Sequence, residues 1–448
     1  MSGHTTLAPA GTAAKRKEAR TVILSSYLGS TIEFYDFLLY ATAAAVAFPK
    51  VFFTGTDEWV GVVAAYATFA AGYVARPLGG VIFGHFGDKV GRKGMLIISM
   101  AMMGIASTLI GLIPGAGVIG PWGAVILVLL RVCQGIAVGG EWGGAALMAL
   151  EHADPKRRGF AASFVNAGAP TGAVLGTVVM GIFSALPQDA FLAWGWRVPF
   201  LLSFVLLIVG MLVRLRVSES PIFAEAVAKE DAQGAKRKIP LLDVLRRPKA
   251  LIMIMFAGAA GFGLQVVLPT FSVTYAVSKG APQQGVLYAF AGASAISIIF
   301  VLLGGRLSDR LGSLSDRLGR RPVMIAGLAL FIAYLFPMFG MLGSGNVGLV
   351  FLAFTVALVL HSCLYGPLAA FVSEQFGTTS RYTGAAVGYQ LATLVGAGFT
   401  PGIIAGLYKD SGQSIIPVVV FLSVMALVSI VFIALTRESK NNDLTTVR

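Results

Sequence analysis

Apolar residues run along this chain in long blocks separated by short polar breaks. In the first half the blocks cover about 22–47, 59–83, 95–114, 122–150, 160–186 and 196–215. A polar stretch over 216–247 follows, carrying Lys229, Glu230, Asp231, Lys236, Arg237 and Lys238. The second half repeats the pattern at about 249–277, 285–307, 322–341, 347–373, 384–408 and 413–436. A helix needs about 20 mostly apolar residues to cross a bilayer, and each block is long enough. The pattern predicts an all-α membrane protein of twelve transmembrane helices in two pseudo-symmetric six-helix halves. The expected organisation is a cytoplasmic tail over 1–21, an N-terminal bundle over 22–215 and a cytoplasmic linker over 216–247. A C-terminal bundle over 248–436 and a second cytoplasmic tail over 437–448 complete it.

The halves also repeat in their polar breaks. Gly84-His85-Phe86-Gly87-Asp88-Lys89-Val90-Gly91-Arg92-Lys93 has a counterpart in Gly312-Ser313-Leu314-Ser315-Asp316-Arg317-Leu318-Gly319-Arg320-Arg321. After the fourth block stand Glu151 and Arg158, and after the tenth Glu374 and Arg381, seven residues apart in both places. Such internal repeats mark many secondary transporters. A local duplication, Ser308-Asp309-Arg310-Leu311-Gly312 before Ser315-Asp316-Arg317-Leu318-Gly319, leaves two candidates for the partner of Asp88. The later copy keeps the trailing basic pair, which points to Asp316 and makes Asp309 an extension of helix eight. Charged residues at these helix ends can hold one face of the bundle shut and release it. The gating candidates are therefore Gly84, Asp88, Gly91, Arg92, Lys93, Glu151, Arg158, Asp316, Arg317, Gly319, Arg320, Glu374 and Arg381.

Composition agrees with a membrane protein. Hydrophobic residues make up 56% and charged residues 12%, against about 25% charged in a soluble chain. The formal charge of +13 does not point to nucleic acid, because the basic residues fall in the breaks between blocks. With the N-terminus inside, Lys89, Arg92, Lys93, Lys156, Arg157, Arg158, the linker and Arg320, Arg321 and Arg381 all face the cytoplasm. This is the positive-inside asymmetry of a bacterial inner-membrane protein with both termini cytoplasmic. No signal peptide pattern precedes the first block. Cys133 and Cys363 both lie inside apolar blocks, so neither a disulfide framework nor a metal site is expected. No phosphate-binding glycine loop or catalytic cluster stands out, and no cofactor and no enzymatic activity are expected.

Ionisable groups inside the blocks cost about 2.5–3.5 kcal/mol each to insert, which makes them functional candidates. Glu33 and Asp36, three residues apart, share a helix face roughly 16–21 Å from the inner end. Arg131 in the fourth block lies at a similar depth, with Gln134 one turn on. The reading is that Arg131 faces Glu33 or Asp36 across a polar central cavity, attracting an anionic group while a carboxylate exchanges a proton. A buried pair that only fixes helix register is the alternative. Glu141, within Gly139-Gly140-Glu141-Trp142-Gly143-Gly144, is either a packing or a coupling residue. His361 can exchange a proton near neutral pH or bond to a neighbouring helix. Tyr365, Tyr389 and Gln390 are further cavity candidates.

The Gly84–Lys93 loop resembles the signature of the major facilitator superfamily. Thr31-Ile32-Glu33-Phe34-Tyr35-Asp36-Phe37, Arg76-Pro77-Leu78-Gly79-Gly80, Arg131-Val132-Cys133-Gln134-Gly135, Gly195-Trp196-Arg197-Val198-Pro199-Phe200 and Glu219-Ser220-Pro221-Ile222-Phe223 are similar to its metabolite:proton symporter family. Tyr365-Gly366-Pro367 and Arg381-Tyr382-Thr383-Gly384 extend the likeness over about 20–440. The resemblance implies alternating access and proton-coupled uptake of a small carboxylate-bearing metabolite such as shikimate, 2-oxoglutarate or citrate. It also admits a proline or betaine osmolyte symporter, although the charged C-terminal coiled coil of the osmosensing type is missing here. A non-transporting membrane nutrient sensor is the reading from another class, and the linker and tail are short for one. The expected partners are the small-molecule substrate, protons and the lipid bilayer, without nucleic acid, for a chain acting as a monomer.

Overall fold

The computed structural model describes residues 10–55, 57–90, 92–152, 158–215, 248–311, 320–374 and 381–436. In the first half the long helices are α1 (Ala10–Val46), α2 (Glu58–Val90), α3 (Arg92–Leu112), α4 (Trp122–His152), α5 (Arg158–Phe183) and α6 (Arg197–Leu215). In the second, α7 runs over Pro248–Val267 and continues through a π turn, Leu268–Ser272, into Val273–Ser278. After it come α8 (Gln283–Leu311), α9 (Arg320–Leu342) and α10 (Val347–Glu374). The next helix, α11, has two segments, Arg381–Thr393 and Thr400–Asp410, joined by a π turn at Leu394–Gly398, and α12 is Ile416–Leu435. Eleven of these helices are long and apolar enough to cross a membrane. The twelfth, α1, is diluted by Glu33, Asp36 and its hydroxyl residues.

The expected blocks fall on the helices, but several helices run past them: α2 continues into the expected break to Val90, α8 runs to Leu311, and α1 begins well before its block. Residues expected as a tail are helical from Ala10, because Ala13, Ala14, Lys15, Arg16, Lys17, Glu18, Ala19 and Arg20 are mostly strong helix formers. Helix ends are closed by local side chains. Asp57 Oδ1 accepts from the backbone of Trp59 at 3.1 Å and Val60 at 3.3 Å, and Asn346 Oδ1 does the same for Gly348 at 2.8 Å. At the other end of a helix, the Arg321 guanidinium donates to the Ile433 carbonyl at 3.1 Å and to that of Ala434, meeting the free carbonyls of α12.

Lipid supplies no hydrophobic drive between helices, so close association depends on small residues that let backbones touch. A Cβ placed on Gly79 would strike the Ile136 carbonyl, one on Gly135 that of Gly72, and one on Gly139 that of Arg76. These contacts clamp α2 to α4. A Cβ on Gly172 would meet the backbone of Thr31, Phe34 and Tyr35, which binds α5 to α1 in the same way.

Between the halves, α5 packs along α8, α2 along α11, and α1 against the π turn of α7. The two halves are sealed at the end of the bundle that holds Trp59. There Tyr66 Oη and Thr274 Oγ1 are 2.7 Å apart, and Thr274 Oγ1 also donates to the Ala45 carbonyl at 3.3 Å. The rings of Trp59 and Tyr408 lie 4.7 Å apart, with Phe271, Tyr275 and Phe339 filling the space behind them. Both π turns, the one with Pro269 and the one before Pro401, sit against the opposite half, where locally widened helix is common at functional positions.

Candidate functional site

Near the middle of the bundle a narrow cavity lies between the halves. The first half supplies Glu33, Phe34, Phe37 and Leu38 from α1, Tyr73 and Arg76 from α2, and Val138 from α4. The second half supplies Phe262, Gln265 and Val266 from α7, with Tyr389, Gln390 and Thr393 from α11. The space open to the centres of water molecules is about 20 Å³, little more than one water requires. With the Trp59 end sealed, a substrate can fit only after the walls part.

Charge enters the cavity from one side. Glu33 and Arg76 are both on the lining, carried by neighbouring helices. The Arg76 guanidinium carbon lies 4.4 Å from the Phe37 ring centroid and 4.3 Å from that of Tyr73. Its Nε has no hydrogen-bond partner among the described residues, and the residue is 7% exposed. A desolvated cation held by ring faces, with donor capacity left over, is suited to receive a carboxylate. Amide and hydroxyl groups of Gln265, Gln390 and Thr393 face it from the other half, and such groups orient a polar ligand.

Asp36 and Arg131 are placed differently from the expectation. Both are 1% exposed and neither lines the cavity among the described residues. Arg131 Nη1 donates to Gln134 Oε1 at 2.9 Å, and Gln134 Nε2 donates to Ser107 Oγ at 2.7 Å. Ser107 also faces the Asp36 carboxylate, which Arg131 influences through space. From α6, Ser203 Oγ donates to Asp36 Oδ1 at 2.5 Å. Arg131 is thus connected to the acid of the first helix by way of Gln134 and Ser107, inside the N-terminal bundle and not across the central cavity. Arg131 is enclosed by Phe37, Tyr40 and Phe69, whose centroids lie 4.5, 4.2 and 4.7 Å from its guanidinium carbon. The glycine contacts of α4 with α2 turn the Arg131 face inward. The arginine on the cavity wall is Arg76.

His361 is buried in a contact between α10 and α7. Its Nε2 is 3.0 Å from the Gly261 carbonyl, and its ring stacks on Tyr365 at 5.4 Å. Tyr365 stands behind the lining, within hydrogen-bond reach of Tyr389 and Gln265, while Tyr389 and Gln390 line the cavity as expected. The side chains of Glu141 and of all the gating candidates lie outside the described residues. These are Gly84, Asp88, Gly91, Arg92, Lys93, Glu151, Arg158, Asp316, Arg317, Gly319, Arg320, Glu374 and Arg381. Asp309 falls within the helical span of α8.

Sequence reasoning missed Arg76, Gln265, Thr393 and the aromatic walls Phe37 and Tyr73. Arg76 carried a usable signal, a charge inside an apolar block. Gln265 stands in an otherwise apolar block too. Nothing in spacing marks which of many aromatics meets a cation.

The sequence profile described as Major Facilitator Superfamily matches residues 23–315 and 311–446. An inner membrane metabolite transport protein of Escherichia coli strain K12 is 38% identical over 432 residues, covering 94% of this chain and 95% of that one. The shikimate transporter of the same strain is 38% identical over 429 residues, with 94% and 95% covered. Its proline/betaine transporter is 33% identical over 442 residues, with 95% and 85% covered. Among solved structures, a D-xylose-proton symporter superposes with a TM-score of 0.74 at 18% identity, covering 95% of this chain and 99% of that one. That likeness is one of fold. Twelve helices in two packed halves, a cavity shared between them and relatives aligned nearly end to end lead to one conclusion: the chain belongs to the Major Facilitator Superfamily, and it is a multi-pass membrane transporter rather than an enzyme.

Proposed function

We propose that the chain is a proton-coupled symporter that takes up a small carboxylate-bearing metabolite across a bacterial inner membrane by alternating access. In this reading Arg76 holds the carboxylate. Gln265, Tyr389, Gln390 and Thr393 complete the contact from the other half, so that binding draws the halves together. Glu33 on the cavity wall, or Asp36 behind it, carries the proton. The basic residues of the breaks support a reading in which the Trp59 end faces outside. The sealed aromatic contact is then the outer gate, and release is toward the cytoplasm. The cavity is complete within one chain, which supports action as a monomer. One observation carries the reading: a desolvated arginine and a glutamate line the same cavity, with polar side chains of the opposite half across from them.

The test is uptake into energised vesicles of labelled shikimate, 2-oxoglutarate, citrate, proline and betaine, each with and without an uncoupler. Uptake of an acid that collapses with the proton gradient is the expected result. Uptake indifferent to the uncoupler would contradict the coupling.

A second reading, an osmolyte symporter for proline or betaine, draws on the aromatic lining. Phe34, Phe37, Tyr73, Phe262 and Tyr389 offer ring faces to an ammonium group while Arg76 takes the carboxylate. Uptake of proline or betaine alone in the same panel, rising with external osmolality, would select it.

A further inference from the structure

Two arginines share one ring. The Arg76 guanidinium carbon lies 4.4 Å from the Phe37 centroid and that of Arg131 lies 4.5 Å from it. The cations come from different helices, α2 and α4, and the ring from α1. Arg76 lines the cavity, whereas Arg131 belongs to the enclosed network with Gln134, Ser107 and Asp36. Phe37 is thus both a wall of the cavity and the backing of the buried arginine. Phe69 at 5.3 Å and Tyr73 at 5.2 Å hold the ring from its other sides, so it cannot turn without disturbing a cation.

The physical consequence concerns charge. A cation over a ring is held by the ring quadrupole, more strongly when desolvated. Two cations on one ring repel each other, and in a buried site that repulsion is screened less than in water. An anion arriving at Arg76 cancels one of them and lowers the positive potential at Asp36, which favours proton uptake there. It also draws Arg76 off the ring and frees Phe37 to follow Arg131. Among the described residues, the cation that acts on Asp36 is Arg131 from α4, and Arg76 from α2 stands against the same Phe37 ring as Arg131. Helices α3 and α6 present Ser107 and Ser203, and α5 meets α1 through Gly168, Gly172 and Gly176. On α1 itself stand Tyr35 beside Asp36 and Glu33 on the cavity wall.

We propose that Phe37 is the positioning residue through which anion binding at Arg76 is coupled to protonation of Asp36. This rests on the reading of proton-driven transport with Arg76 as the anion site. The test compares the native chain with Phe37→Leu and Phe37→Tyr in proteoliposomes, using labelled shikimate or labelled betaine, whichever the native chain exchanges. Counterflow without a gradient reports binding and reorientation, and accumulation under an imposed proton gradient reports coupling. Because Phe37 is also a cavity wall, Phe37→Leu should weaken counterflow. It should lose accumulation by roughly ten-fold more than it loses counterflow, a typical coupling magnitude. Phe37→Tyr, which keeps the ring face, should restore accumulation. Native accumulation by Phe37→Leu, or equal loss of both activities, would overturn the proposal. If the native chain exchanges a probe but never accumulates it under the gradient, proton coupling itself fails, and the role of Phe37 falls with it. Should the leucine variant not reach the membrane, Phe37→Met, of similar bulk but without a ring, makes the same comparison.

Discussion

Tyr66 on α2 and Thr274 on α7 join the two halves of the transporter through a hydroxyl–hydroxyl hydrogen bond of 2.7 Å. Tyr66 is fully buried, and Thr274 has a second partner in the Ala45 carbonyl. Removing the phenol oxygen therefore deletes one of the two hydrogen bonds that Thr274 makes across the halves and leaves the other, to the Ala45 carbonyl, in place.

Tyr66→Phe should shift the bundle toward the state open at the Trp59 end. One net hydrogen bond contributes about 1 kcal/mol, so the closed population should fall about five-fold relative to the open one. Spin labels at Glu58→Cys and Asp410→Cys, with Cys133 and Cys363 replaced by serine, read the separation directly. The variant should show a longer, broader distance distribution, and an unchanged one would remove Tyr66 from the gate.

Arg131 should behave as part of a buried network. Arg131→Ala leaves Gln134 Oε1 without its donor and removes the positive charge near Asp36 in a site closed to solvent. Leaving a buried polar group unsatisfied costs about 1–3 kcal/mol. The melting temperature should drop by several degrees, and adding Asp36→Asn should recover much of the loss, because the two residues act as a unit. Independent, additive losses would contradict the network.

Glycine substitutions should separate by what a Cβ would meet. Gly139→Ala drives a methyl into the Arg76 carbonyl and forces α4 from α2, an overpacking cost of about 1–3 kcal/mol. Because Arg76 rides on that contact, substrate affinity should weaken with stability. Gly94 and Gly406 lie in helices with open space around them. Alanine at either should leave transport intact and stabilise by about 0.5–1 kcal/mol, as melting curves would show.

Substrate charge should matter. Among the described lining residues Arg76 is the one cation, and Glu33 shares its wall. With the proton on Glu33, an acid with a single carboxylate is balanced by Arg76, while a tricarboxylate brings unbalanced negative charge that costs several kcal/mol. In competition against a transported monocarboxylate, citrate should bind at least about ten-fold more weakly. Equal competition would require further cations at the site.

The spans were legible because an unbroken apolar block of about 20 residues matches the thickness of a bilayer, and the repeated breaks announced the two halves. Glu33, Tyr389 and Gln390 were legible as polar groups at cavity depth. The exchange of Arg76 for Arg131 was not, for a geometric reason. Depth along a helix follows from counting residues, but the direction a side chain points depends on which neighbour the helix touches. On α4 that is decided by Gly135 and Gly139 seating against the backbone of α2. The same contact turns Arg131 into the bundle and leaves Arg76 beside the opposite half. His361 shows the same limit, since its bond to the Gly261 carbonyl needs the packing of α10 on α7.

The measurement that bears most directly on the account is uptake by native, Arg76→Ala and Arg131→Ala chains at matched membrane levels, with and without an uncoupler. The labelled probe is the acid that the native chain accumulates. Native uptake should collapse with the gradient. Arg76→Ala should lose binding, seen as loss of counterflow as well as accumulation, whereas Arg131→Ala should retain counterflow and lose gradient-driven accumulation. Full counterflow by Arg76→Ala would contradict the placement of the substrate carboxylate, and native uptake that ignores the uncoupler would contradict proton coupling.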